Sequence, residues 1–159
     1  MWDYDIAQVC ENGHVINDHH KMRPQKSLKF CQHCGVATIT GCPSCNQGIR
    51  GGAVYDEYNL GTLRVPPAFC HNCGEPYPWT AKRLNAAREL TAEIEELSEE
   101  ERGLLTMSLD DLVRETPRTS LAVVRFKKLA AKAGKTAAEG LKSILVDVLS
   151  ETVKKQIWP

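Results

Sequence analysis

The sequence predicts an α+β chain, a small ligand-stapled β region followed by an α-helical bundle, and three observations carry that expectation. Cysteine and histidine fall in four pairs: Cys10/His14 in CENGH, Cys31/Cys34 in CQHC, Cys42/Cys45 in CPSC and Cys70/Cys73 in CHNC. Turn-forming residues gather in the same half, since residues 1–79 hold all seven cysteines, all five histidines, eight of the eleven glycines and six of the eight prolines. Residues 80–159 are instead rich in Ala, Leu, Glu, Lys and Arg, most of which lose little on entering a helix. The expected organisation is a first domain at 1–79 and a helical domain at 80–159.

A gap of two or three residues lets one tight turn aim two side chains at a single ion, and two such turns complete a tetrahedron. Cys10, His14, Cys31, Cys34, Cys42, Cys45, Cys70 and Cys73 therefore fill two sites with none left over, which predicts two zinc ribbons and two Zn2+ per chain. Disulfides fit poorly because the cysteine count is odd. The opening MWDYDIAQVC also carries acidic residues where a secretion signal would carry basic ones, so a cytoplasmic location is expected. A redox CxxC would occur once, at a strand-to-helix junction, rather than three times in Gly- and Pro-punctuated loops.

In CQHCG and CHNCG the glycine relieves a knuckle turn, Pro43 stiffens a third knuckle, and Asn12-Gly13 turns the chain between Cys10 and His14. Val15-Ile16, Val36 to Ile39 and Ala53 to Tyr55 are candidate strands. Chain order pairs the first knuckle with the second and the third with the fourth, and each ribbon then closes on the same Phe-Cys-x-x-Cys-Gly phrase, Phe30 to Gly35 and Phe69 to Gly74. Cross-bracing, first with third and second with fourth, would make a RING-like module. Sharing of one metal by the two central pairs is a third arrangement. So small a region buries too little apolar surface to fold by its core alone, so metal would supply much of its folding free energy.

Chemistry at the metal is not expected. A hydrolytic zinc keeps a position for water, whereas three thiolates with an imidazole, or four thiolates, leave none. No HExxH, nucleophile elbow or phosphate-binding glycine loop occurs, and the chain is read as a non-enzyme with no catalytic residues. His33 and His71 read as solvent-facing filler inside their turns, and His19-His20 as loop. The long insertion between Cys45 and Cys70 is expected to turn at Gly51-Gly52. It offers Tyr55 and Tyr58 as a partner surface, or else a hairpin that packs those rings inward.

In the helical half, Thr80 is read as the cap of a helix with Leu84, Ala87, Leu90, Ile94 and Leu97 on one stripe. Ser98 with Glu101 forms a capping box, and Ser108 with Asp111 restarts or continues that helix. Thr116-Pro117 breaks the chain. Residues 120–133 form a helix closed by Gly134, and Thr136 with Glu139 opens a last one carrying Leu141, Ile144, Leu145, Val148, Leu149 and Thr152. That stripe is too short and charged to span a membrane. It reads as bundle core, with homo-oligomerisation if the stripes exceed what one chain can cover.

Formal charge is balanced at 20 basic and 20 acidic residues, but it is locally polarised. Glu89 to Glu101 contains seven acidic residues and no basic one, and Arg118 to Lys135 contains six basic residues and no acidic one. Arg118, Arg125, Lys128 and Lys132 could meet nucleic-acid phosphates, although the preferred reading is that the basic helix packs beside the acidic one or presents a solvated face.

The chain resembles a family of uncharacterised bacterial zinc-ribbon proteins. The likeness rests on Gln8-Val9-Cys10-Glu11-Asn12-Gly13-His14-Val15-Ile16, the two FCxxCG phrases, Cys42-Pro43-x-Cys45 and Pro78-Trp79. It implies a bacterial cytoplasmic protein with zinc ribbons and supplies no substrate. The expected function is a non-catalytic zinc-binding adaptor for a protein partner, its ribbons a recognition surface and its helices a means of association. A nucleic-acid-binding protein using residues 118–135, and a RING-like ligase platform, are the alternatives.

Overall fold

The computed structural model describes residues 3–159. They form two compact units, the first ending at Lys82 and the second running from Arg83 to Pro159. In the first, β1 (Asp3–Ile6) pairs antiparallel with β5 (Arg50–Val54), while β2 (Gln8–Cys10), β3 (Val15–Asn17) and β4 (Thr38–Ile39) form a sheet ordered β3-β2-β4. Pairing of Val9 with Ile39 and of Cys10 with Thr38 delivers the end of β2 to the loop that carries Cys31 and Cys34. The Ala7 amide donates to the Ile49 carbonyl at 2.8 Å, and the Ile49 amide to the Thr40 carbonyl at 2.9 Å, which ties the two sheets together.

Apolar side chains alone could not hold this unit. Its core consists of Ala7, Val9, Ile49, Tyr77 and Trp79 packed with Cys42 and Cys70. Buried polar side chains hold the loop after β3 by hydrogen-bonding its backbone, the usual condition for burying such groups. Gln8 donates to the Leu28 carbonyl at 2.7 Å and accepts from its amide at 2.9 Å, while the Asp5 carboxylate accepts from the Lys21 and Met22 amides at 2.9 and 3.0 Å. Asn17 donates to the Arg23 carbonyl at 2.8 Å.

Two local expectations are corrected here. Gly51 and Gly52 lie inside β5 rather than at a turn, because a Cβ at Gly51 would collide with the Asp18 carbonyl oxygen and one at Gly52 with the His19 ring. The first helix, α1 (Pro78–Ala92), starts two residues before Thr80, with proline at its first position. Thr80 is not its cap: it is fully buried and donates to the Ala68 carbonyl at 2.7 Å.

The second unit contains the rest of α1, α2 (Glu99–Arg114), α3 (Thr119–Ala133), α4 (Lys135–Leu145) and α5 (Glu151–Ile157). Leu105, Leu109, Leu112, Phe126, Leu141 and Leu145 are among its most buried side chains. The capping box forms as read: Ser98 Oγ accepts from the Glu101 amide at 3.1 Å, and Glu101 accepts from the Ser98 amide at 2.9 Å. The helix does not restart at Ser108, whose hydroxyl bonds back to the Leu104 carbonyl at 2.8 Å. Gly134, at φ +98°, separates α3 from α4, which begins at Lys135 rather than Thr136. The long last stripe is broken. Ser150 Oγ accepts from the Val153 amide and caps a separate α5, so Thr152 faces solvent while Val153 and Ile157 turn inward. Among the described residues no helix is long and apolar enough to cross a membrane.

Lys132 lies 2.5 Å from Glu101, and this hydrogen-bonded ammonium, with the Ser98 amide, holds the Glu101 carboxyl below its ordinary range. A depressed carboxylate contributes stability that is complete above its unfolded value of about 4.3 and is lost as pH falls through the folded one. Glu101→Gln keeps the capping geometry but removes the charge. It should lower the melting temperature of the helical unit at pH 7 and make no difference at pH 2.5, as read by circular dichroism.

Candidate metal centre

Four knuckles of similar backbone build carry the ligands. The amide of each first ligand donates across its turn: Cys10 to the His14 carbonyl at 3.0 Å, Cys31 to Val36 at 2.9 Å, Cys42 to Gln47 at 2.8 Å and Cys70 to Glu75 at 2.9 Å. The chain can reverse so tightly because one residue in each knuckle adopts the left-handed conformation: Gly13 at φ +93°, Gly35 at +76°, Asn46 at +65° and Gly74 at +77°. Asn46 is the member that sequence reasoning missed. The available signal was its position directly after CPSC, where the other two CxxC pairs carry glycine, and asparagine is the side chain that best tolerates this conformation.

The knuckles meet in chain order. Ligand atoms of Cys10, His14, Cys31 and Cys34 lie within 4.8 Å of one another, as do those of Cys42, Cys45, Cys70 and Cys73. Sγ to Sγ distances are 3.8 Å for Cys10 and Cys34 and 3.7 Å for both Cys42–Cys73 and Cys45–Cys70. A disulfide would need about 2.05 Å, and all seven cysteines are free thiols. Four sulfurs about 2.3 Å from a central ion would lie about 3.8 Å apart along the tetrahedron's edges, and a sulfur–nitrogen edge would be about 3.6 Å. His14 Nδ1 is 3.4 Å from Cys10 Sγ and 3.5 Å from Cys31 Sγ. Each group can therefore hold one metal ion with four protein ligands.

The surroundings favour thiolate. Backbone amides of His14, His33 and Asn72 point at Cys10, Cys31 and Cys70 Sγ from 3.3, 3.4 and 3.4 Å, and the Asn12 and Asn72 side chains donate to Cys34 and Cys45 at 3.5 Å. Through the Val36 amide first, Cys34 is drawn down to about 6, and through the Cys73 amide first, Cys70 also to about 6. The Asn72 side chain leads in lowering Cys45. Others move the opposite way. Burial raises Cys10, and although the Glu75 amide favours the Cys73 thiolate, desolvation and three sulfur neighbours outweigh it and push that thiol up to about 12. Sulfurs this close cannot all ionise beside one another, and a divalent cation at the centre would remove that conflict.

Trp79 braces the array from α1. It is 1 % exposed, its Nε1 donates to the Pro67 carbonyl at 2.9 Å, and its ring stacks on Tyr77 with centroids 4.7 Å apart. A Cβ at Gly13 would come within 2.9 Å of Trp79 Cβ, so glycine there serves both the turn and the packing.

The remaining sequence candidates are distributed differently. His33 and His71 are exposed, as expected. His19 is in the loop but buried, with Nδ1 2.9 Å from Asp18 Oδ1, and Asp18 Oδ2 accepts from the Leu63 amide at 3.1 Å. Tyr55 and Tyr58 sit on a hairpin arm closed by the Tyr55 amide to the Asn59 carbonyl at 3.1 Å, and Asp56 Oδ1 accepts from the Tyr58 and Asn59 amides, both at 2.8 Å. Tyr58 is 90 % exposed, so the arm does not pack that ring inward. Just before α3, Arg118 lies 3.3 Å from Asp111, and on the helix Lys132 is held by Glu101. Arg125 is half-buried and Lys128 exposed.

Residues 3–157 match the family described as an uncharacterized protein conserved in bacteria, DUF2321. The chain belongs to that family. No curated protein and no solved structure matches it. Membership carries no activity with it, so the ligand groups are the chemistry from which a role is to be argued.

Stripping metal with a strong chelator should collapse the far-ultraviolet spectrum of the first unit and open it to protease, because the ligand pairs supply closure that its small core does not. An unchanged spectrum after confirmed metal loss would contradict this. Asn46→Val should destabilise the metal-loaded first unit by about 1–2 kcal/mol, the cost of forcing a side chain with a Cβ branch into the left-handed region, and Asn46→Gly should be tolerated. Chemical denaturation of the metal-loaded protein measures both.

Proposed function

We propose that this chain is a non-catalytic adaptor whose first unit is a pair of zinc ribbons presenting the Tyr55–Asn59 arm to a protein partner. The observation that carries the reading is the arm's construction. An aromatic ring at 90 % exposure stands at the tip of a hairpin whose backbone is closed by its own hydrogen bonds and by Asp56. Pre-ordering of this kind lowers the entropy lost on binding, and tyrosine is an effective anchor when a partner buries it.

Zinc is the ion that suits the donor set. Seven thiolates and one imidazole are soft-to-borderline ligands, and the spacing matches tetrahedral zinc rather than the oxygen-rich shells of magnesium or calcium. Four protein ligands per group leave no position for water, which supports a structural role. The chain-order grouping lacks the cross-bracing a RING-like platform requires. The nucleic-acid reading is weaker, because two of its four cations, Arg118 and Lys132, already face carboxylates.

Replacing Tyr55 and Tyr58 with alanine should remove specific bands from a pulldown with the zinc-loaded protein while zinc content, measured by plasma emission, stays at two per chain. An unchanged set of bands would overturn the arm as the recognition surface.

A further inference from the structure

The second ligand group has a neighbour with an unused proton. Tyr77 is 1 % exposed and belongs to the core that contains Cys42 and Cys70, and its hydroxyl has no hydrogen-bond partner among the described residues. Burying a hydroxyl without a partner costs free energy that a phenylalanine ring would not. The ring alone would serve for stacking on Trp79, where the two planes lie 19° apart. The oxygen therefore needs an account of its own.

Its surroundings supply one. Burial pushes the hydroxyl above the ordinary range of a tyrosine, and the Cys70 sulfur is the next cause, with Cys42 and Cys45 behind it, so the phenol oxygen faces the ligand sulfurs. Cys70 Sγ already receives the Asn72 amide at 3.4 Å. A thiol sulfur is a weak acceptor, whereas a thiolate is a charged one and takes a hydroxyl proton well. Metal ligation requires the thiolate.

The first half of the unit provides a comparison. Phe30 bridges Ala37 as Phe69 bridges Pro76, and the Thr38 amide donates to the Lys29 carbonyl at 3.2 Å as the Tyr77 amide donates to the Ala68 carbonyl at 3.1 Å. Thr38 and Tyr77 thus hold the same place relative to their knuckles. Thr38 gives its hydroxyl proton to the Leu28 carbonyl at 2.7 Å, away from the sulfurs. At this place only the second group has a hydroxyl left for a ligand.

We propose that Tyr77 is a positioning residue of the second centre, its hydroxyl donating to Cys70 Sγ when that sulfur is a metal-bound thiolate. In so dry a core the bond is at its strongest, and it steadies the ligand from outside the shell. This inference rests on the metal reading of the ligand groups and not on the Tyr55–Asn59 arm. A chain that loads no ion would overturn both the metal reading and the role of Tyr77; a chain that loads two and is indifferent to the hydroxyl would overturn only the latter.

Competition of the zinc-loaded full chain against a chromophoric chelator tests it. Tyr77→Phe keeps the ring, and it should weaken binding of one of the two zinc ions by roughly 10–100-fold while the other ion and the far-ultraviolet spectrum stay as in the wild type. Cadmium NMR identifies the affected centre, because a shell of four sulfurs resonates apart from one of three sulfurs and a nitrogen. The four-sulfur line should move in Tyr77→Phe and the other should not. In the wild type, where folding of a variant is not in question, the four-sulfur line should show a scalar coupling to the Tyr77 hydroxyl proton. Equal or tighter zinc binding by Tyr77→Phe, movement of the other line, or no coupling in the wild type would overturn the proposal, since a tyrosine that only fills the core is replaced by phenylalanine with none of these effects.

Discussion

The first unit is built so that two knuckles bring four donor atoms to one centre that could hold an ion. Each knuckle is only a reversed turn held by a pair of backbone hydrogen bonds, and its ligands would otherwise repel as thiolates or idle as thiols. Bringing two knuckles to a common centre closes the loops Cys10–Cys34 and Cys42–Cys73 at once. Everything nearby is arranged around that closure. Strands β2 and β4 set the distance between the first two knuckles, the buried Gln8, Asp5 and Asn17 hold the intervening loop, and Trp79 presses α1 against Gly13.

An ion at each centre would let a unit with so little apolar material fold. A disulfide would lock each pair at about 2 Å and abolish the tetrahedral spacing. A metal instead accepts four donors from two directions and tolerates the differing polarity of an exposed Cys34 and a buried Cys31. Each group offers four protein donors, enough for a complete tetrahedral shell. What the first unit leaves most exposed is the Tyr55–Asn59 arm, where Tyr58 is 90 % exposed.

The four Cys/His pairs and the capping box at Ser98 were legible in the sequence, because each is a local pattern answering to one short-range requirement, while the chain-order grouping was one of three arrangements the spacing allowed. What was not legible depended on partners far along the chain. Gly51-Gly52 looks like a turn until Asp18 and His19 are known to press on it, and the reason for glycine is then close approach within a strand. His19 reads only as loop because nothing local announces that it will be buried beside Asp18. Thr80 had the chemistry of a cap, but Pro78 began the helix first and Ala68 claimed its hydroxyl. The apolar repeat from Leu141 to Thr152 kept its period through a break that only the Ser150 cap reveals.

X-ray absorption at the zinc edge of the natively purified chain, paired with anomalous scattering from its crystals, tests the account most directly. It predicts two zinc ions per chain, one bound by Cys10, His14, Cys31 and Cys34 and the other by Cys42, Cys45, Cys70 and Cys73, with sulfur near 2.3 Å and no oxygen in either shell. A single ion, a water ligand, or an ion shared between knuckles of different groups would contradict it.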